Sequence, residues 1–368
     1  MPNSFITIKE LARQALPRLL ENLVFPSLVY KDFSNDFHKK GDEIQIRKPV
    51  VLEAKDFDAS TGVVAQDLDD SNSVTVKLDK IATVDVDIQA VEGALNIDDL
   101  NRQFIEPAAV ALAQKINNEG LELYKDIPYI CGTAGTTPST LENLADVRKV
   151  MNVNKVPTIG RVAVWDPEAD GKFTTIPAIV NAEKSGSNAA LREGSIGRVF
   201  GLNNYMSHAV KTHIAGTLSA SVKPKSATDA GATSLVLSAT AVTGSLKKGD
   251  ILTILGDTYV VTADTTAASN EIAVNIYPAL KKDVTSSTAV AITGNHTANL
   301  AFNPFAFAFV SRPLVQPSGV ESYVTSYNGL SLRVVKGYDM VHKKEMLSMD
   351  VLYAYKTVYP EMAVRVLG

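Results

Sequence analysis

The chain has 368 residues, with 36 lysines and arginines against 40 aspartates and glutamates, for a net charge of −4. Hydrophobic residues make up 45% and charged residues 21%, which argues against bulk disorder and provides enough apolar mass for two or three domains. Mild acidity argues against a protein whose first task is gripping nucleic acid. The single cysteine, Cys131, excludes an intramolecular disulfide framework or a multi-cysteine metal cage. The first residues lack the basic-then-apolar design of a signal peptide. The longest charge-free stretch, Val284 to Ser311, is rich in Ser, Thr and Asn and broken by Pro304, so no membrane span is expected.

Leu11, Ala15, Leu16, Leu19, Leu20 and Leu23 fall on one helical stripe, which Pro17 should kink and Phe25-Pro26 should end. Such a segment suits either an arm lying on another subunit or an ordinary packing helix. From Lys39 to about Ala90 the period changes to two. Ile44 and Ile46, then Val74, Val76 and Leu78, then Val84, Val86 and Ile88 alternate with polar residues. Between Ala54 and Ser73 lies an acidic stretch with Asp56, Asp58, Asp67, Asp69 and Asp70, so this region reads as a long projecting hairpin.

A helical run follows, with Asn96 as N-cap and Asp98 and Asp99 in its first turn. Pro107 opens the longest helix, ending near Pro128, and a further helix runs from about Ser139 to Asn152. Arg161–Trp165 is a buried strand, followed by a helix or turn to Ala182. Glycines 194, 197 and 201 make the passage from Ala190 to Gly201 read as loop and strand edges.

From Gly216 to Asn299, Ala, Ser and Thr supply 37 of 84 residues, which first suggests low complexity. Short β runs recur, however: Leu218–Val222, Ser234–Ser238, Asp250–Leu255, Thr258–Ala263, Glu271–Ile276 and Ala289–Thr293, with Gly256-Asp257 as a hairpin turn. They predict a small all-β barrel or sandwich that folds on its own, its core drawn from Val236, Ile251, Ile254, Val260, Ile272, Val274 and Ile292. Beyond it, Phe302, Phe305, Phe307 and Phe309 cluster. Glu321–Tyr327, Asn328-Gly329 and Leu330–Lys336 form the strongest hairpin signal, and Met349–Tyr355 is the last strand.

Chemical motifs are weak. Gly132-Thr-Ala-Gly135 lacks the Lys-Ser/Thr ending of a phosphate loop. Asp166, Glu168 and Asp170 imitate the start of a calcium loop whose twelfth position is Pro177 instead of glutamate. His38, His208, His213, His296 and His342 are scattered, and no nucleophile elbow accompanies them. No catalytic residue, cofactor site or metal site is therefore assigned, and no enzyme is expected.

The order of parts carries a resemblance. Leu191–Leu202, Gly231–Leu237, Leu246–Leu252, Leu330–Asp339 and Asp350–Val366 resemble passages of the major capsid proteins of tailed double-stranded DNA bacteriophages with the Hong Kong 97-type fold. More narrowly, they resemble the P-twenty-two coat protein branch, which carries an inserted β-barrel domain. The resemblance implies an α+β fold divided into an N-terminal arm (1–38), an extended hairpin loop (39–90) and a peripheral domain with a spine helix (91–160). A first axial part (161–215), an inserted β-barrel (216–299) and an axial and peripheral return (300–368) complete it.

The resemblance also implies self-assembly into hexamers and pentamers of an icosahedral head, with scaffolding, portal and decoration proteins as partners. The shell would enclose double-stranded DNA without reading its sequence and without a membrane. It would assemble in the bacterial host cytoplasm and reside in the virion. Arg47 or Lys48 would meet Asp67, Asp69 or Asp70 of a neighbour as subunit contacts, or those charges stay solvated. Some relatives cross-link a loop lysine to an asparagine; Lys55, Lys77 and Lys80 with Asn328 would be the candidates, but the branch resembled is not a cross-linking one. The alternatives are an encapsulin-like compartment shell, a β-rich phage tail protein, or an enzyme with a dispersed site.

Overall fold

The computed structural model describes residues 8–31, 43–47, 73–87, 105–181, 183, 186, 189–218, 221–339 and 344–368. The helical run expected from Asn96, and most of the acidic stretch before Ser73, lie outside them. The chain divides into two units. One comprises 1–17, 31–109 and 308–358; the other comprises 18–30, 110–307 and 359–368.

In the first unit, period-two sequence becomes one five-stranded antiparallel sheet. The 14-residue strand Lys344–Thr357 is flanked by Leu330–Asp339 on one side and Lys80–Asp87 on the other. Glu321–Tyr327 continues the sheet beyond Leu330–Asp339, and Phe307–Arg312 also pairs with the long strand. Asn328-Gly329 makes the expected turn, both residues at positive φ and Tyr327 opposite Leu330. Met349, Val351 and Tyr353 are fully buried, and the Phe309 ring lies 4.9 Å from Tyr355. Arg333 Nε donates to Asp350 at 3.0 Å, pinning adjacent strands at a half-buried ion pair. Separately, Glu43–Arg47 pairs with Ser73–Lys77.

In the second unit, a mixed sheet runs in the order Ile130–Gly132, Ala363–Leu367, His296–Phe302, Val162–Trp165, Leu202–Met206, Arg198–Val199. Its parallel pairs, such as Val162–Trp165 with Leu202–Met206, need crossovers, and short helices Pro167–Thr174, Pro177–Val180 and Ala189–Glu193 supply one. The helix Leu141–Val153 is capped reciprocally by Thr140 and Asn143 and buries Leu144, Val147 and Met151 in the cluster around Trp165 and Phe173. Helix Glu106–Leu121, which straddles the two units, ends in a 3-10 turn, Glu122–Asp126.

The N-terminal stripe forms helix Ile8–Asn22 with exposed Pro17 inside it, and Phe25-Pro26, expected to end that helix, instead opens a short second one, Phe25–Leu28. Leu11, Ala15, Leu16, Leu19 and Leu23 are buried within this chain, and Phe25 packs between Phe302 and Phe307, 5.4 and 5.6 Å away. Over these residues the segment is a packing helix, which removes the need for another subunit to cover its stripe.

Residues 223–292 form a six-stranded path: Val290–Ile292, Ile251–Ile254, Asp257–Val261, Glu271–Tyr277, Ser234–Ser238, Lys223–Pro224. Its core, including Val222, Leu235, Leu237, Leu252, Ile254, Ile272, Val274 and Ile276, is drawn from residues between 216 and 299. Four details differ from expectation. Val236 is 39% exposed while its neighbours Leu235 and Leu237 are buried, so the inward phase of that strand is the odd one. The hairpin turn is Leu255-Gly256, one residue earlier than expected, with Ile254 opposite Asp257. Pairing near the start of the region involves Lys223–Pro224, while residues 219 and 220 of the expected strand Leu218–Val222 lie outside the described residues. The glycine-rich passage after Ala190 holds a short helix and a hairpin turning at Phe200-Gly201.

Candidate assembly surfaces and the neck

The chain leaves the mixed sheet after Thr212–His213 and returns at His296–Phe302, and these two passages pair, His213 opposite His296 and Thr212 opposite Thr297. The 216–295 stretch is thus an excursion that begins and ends at one place. At that neck lies a polar cluster sealed from water. Asp250 and Arg365 have no exposure, and His213, His296 and Tyr124 have 3% or less.

The geometry accounts for each charge. Asp250 accepts from the backbone N–H of Gly216 (3.1 Å) and Lys247 (2.8 Å), and from His213 Nε2 at 2.8 Å. The other ring nitrogen of His213 is 3.0 Å from the Tyr124 hydroxyl. His213 thus bridges the Asp250 carboxylate and the Tyr124 hydroxyl through its two ring nitrogens. Arg365 donates to three backbone carbonyls, Gly249 (2.8 Å), Tyr124 (2.5 Å) and Ile127 (3.3 Å), and its guanidinium stacks 4.9 Å from the Tyr124 ring. Burial pushes Arg365 down to about 10, which leaves it charged at neutral pH.

Around this centre, Lys248 pairs with Asp126 at 2.9 Å, Tyr277 donates to Glu361, and the Lys281 ammonium lies 5.8 Å from the Tyr129 ring. Burial and the bond to Glu361 push the Tyr277 phenol upward. At Gly216 an added Cβ would sit 2.1 Å from the Ser245 carbonyl oxygen, so no side chain fits where the excursion begins.

The expected contact residues are only partly placed. Arg47 ends the strand Glu43–Arg47 opposite Ser73, while Lys48, Asp67, Asp69 and Asp70 lie outside the described residues. The described pairing therefore ends at Arg47 and Ser73. Asp166 caps helix Pro167–Thr174 by accepting from Glu168 N–H, and the Glu168 carboxylate is taken by Lys172 (2.9 Å) and Thr137 (3.0 Å). The acidic run thereby serves a helix start. Cys131 is pushed up to about 12 by burial, an unreactive thiol. Among the described residues, no group of three or more His, Cys, Asp or Glu is placed to hold a metal, and no helix is long and apolar enough to cross a membrane.

Apolar side chains also stand in solvent. Ile159 is 84% exposed, and Val315 is 85% exposed. Exposed Phe305 packs on Tyr30 with ring centroids 5.2 Å apart. Along Glu321–Tyr327, which among the described residues has a strand on one side only, a shallow cavity of about 240 Å³ is bordered by Val320, Lys336 and Tyr338.

No family model matches the chain. The major capsid protein of Acyrthosiphon pisum secondary endosymbiont phage 1 is 22% identical over 411 residues, covering 97% of this chain and 96% of that protein. A solved chain of Mycobacterium phage Che8 shares the fold, with a TM-score of 0.51 at 18% identity, covering 94% of this chain and 90% of its own. The chain resembles phage major capsid proteins along nearly its whole length. The capsid structure of the Cyanophage P-SCSP1u aligns with a TM-score of 0.46 at 13% identity, over 90% of this chain and 84% of that one. For a capsid-protein relative, the parts with consequences are the edges that meet other chains and the neck.

The sequence reading missed the neck because Tyr124, His213, Asp250, His296 and Arg365 share no spacing. One signal was present: His213 and His296 bracket the composition shift at either end.

Proposed function

We propose that this chain is the major capsid protein of a tailed phage, assembling through its own copies into the head shell. What carries the reading is the match to a major capsid protein over nearly the full length of both chains, which a shared local motif would not produce. In finer detail, the shell is an icosahedral lattice of hexamers and pentamers of the Hong Kong 97 type, built with scaffolding and portal proteins, and closed around double-stranded DNA. The excursion at 216–295 is the inserted domain, and the hairpin based at Arg47 and Ser73 is the extended loop whose charges meet a neighbouring copy. The task is structural, not catalytic. A net charge of −4 suits an inner face that contains DNA without adhering to it.

Sedimentation and negative-stain microscopy of the purified protein, with and without a scaffolding partner, test this. Capsomers, shells or aberrant tubes of shell lattice are the expected products. A protein that stays monomeric at tens of micromolar under both conditions contradicts it, and shells that load protein cargo in place of DNA turn the reading toward a cellular compartment.

A further inference from the structure

The neck holds more buried ionisable groups than packing requires, and one of them is set against a cation. His296 Nδ1 lies 2.8 Å from the Gly294 carbonyl oxygen, so this nitrogen carries the proton. The remaining nitrogen, Nε2, then offers its lone pair to Arg365 Nη1 at 3.5 Å. A second proton on this ring would set two N–H groups, and two positive charges, against each other with no water between them. His213, at 5.2 Å ring to ring, is held between Asp250 and Tyr124 by its two nitrogens.

We propose that this cluster is an acid-released lock, which holds the inserted domain in one orientation on the body at neutral pH and opens when His296 takes up a proton. The proposal extends the capsid reading, which supplies the use of a domain that can be freed. The link from the charge clash to the domain is direct. Arg365 belongs to the body, and its Nη1 bridges His296 and the Gly249 carbonyl of the inserted domain. Displacing the guanidinium from His296 takes it away from Gly249, the residue next to the Asp250 hub that gathers Gly216, Lys247 and His213.

The other charged groups facing the cluster are already engaged. Glu122 pairs with Lys211 (2.5 Å) and Lys125 (3.9 Å), and Lys248 pairs with Asp126. The Lys247 ammonium reaches the Ile214 carbonyl at 3.5 Å. Burial first, and then Arg365 and His213, push His296 down from 6.5 to about 4 against the opposing pull of the Gly294 carbonyl, which sets the range in which the lock should open.

The test uses the full chain before assembly, so failure to form shells and failure of the lock are separate results. Histidine side-chain NMR follows His296 from about pH 8 to about pH 3.5, assigned with His296→Gln. Amide exchange over the same range reads Gly216, Lys247 and Gly249. The expected result is a His296 midpoint near 4. Corrected for intrinsic rates, protection at those three amides should fall at least about tenfold over the same interval, before the Leu300–Phe302 strand amides open. His296→Gln should retain protection at acid pH, and if it fails to fold, the wild-type order of events decides. A His296 midpoint near 6.5, neck amides that open only with the whole chain, or unchanged release in a folded His296→Gln would overturn the lock.

Discussion

A guanidinium buried without solvent is tolerable only where several acceptors replace its lost water. Arg365 meets that condition with three backbone carbonyls from Tyr124, Ile127 and Gly249. Arg365→Ala removes both donating nitrogens and strands the Gly249 and Ile127 carbonyls, while Tyr124 keeps its bond from Ile127 N–H, so it should destabilise the protein by about 3–5 kcal/mol. Arg365→Lys keeps the charge but cannot fork to three oxygens, and should cost about 1–3 kcal/mol. Urea denaturation of both variants checks the order; an alanine variant within about 1 kcal/mol of the parent contradicts the account. Arg365 is the one polar residue of Ala363–Leu367, a strand that lies beyond Met349–Tyr355, the last one expected from the sequence.

At the scale of elements, two strand details make sharp comparisons. Leu237 is fully buried and Val236 is 39% exposed on the same strand. Leu237→Ala should cost about 2–5 kcal/mol. Val236→Ala should change stability by less than about 1 kcal/mol. Equal losses would mean that the strand's register is wrong. The Leu255-Gly256 turn has φ of 50° at Leu255, a left-handed conformation that disfavours a branched aliphatic residue. Leu255→Asn should therefore raise stability by about 0.5–1 kcal/mol, read as a higher urea midpoint. Glycine was visible in the sequence and marked the turn, but its place within the turn depends on which residues pair. That is why the expected turn lay one residue late.

For the whole molecule, assembly and domain autonomy carry the remaining expectations. The core of the excursion is internal to its own sequence, so residues 216–299 should fold when excised, with dispersed β-type amide shifts. Its stability should be modest, about 3–5 kcal/mol, because a domain of this size buries little surface and the excised piece loses Arg365. Random-coil shifts would show that the body is needed to hold it together. Asn328 sits at φ 51° in its hairpin turn, an assignment that accounts for the residue without covalent chemistry. Mature particles boiled in detergent should accordingly run as a single band near 39.5 kDa, and a ladder of multiples would show cross-linking.

Periodicity and turn chemistry are local, so the sequence by itself determined the helix Leu141–Val153, most strands of the excursion, and the Asn328-Gly329 hairpin. Order along the chain carried the capsid resemblance, because a succession of elements survives when individual residues do not. Only the tertiary structure decided where the N-terminal stripe is buried, which phase of Ser234–Ser238 faces inward, and that five scattered polar residues meet at one neck. Those outcomes depend on what lies across from a residue, and distances such as the 2.8 Å between His213 and Asp250 join positions that no sequence spacing brings together.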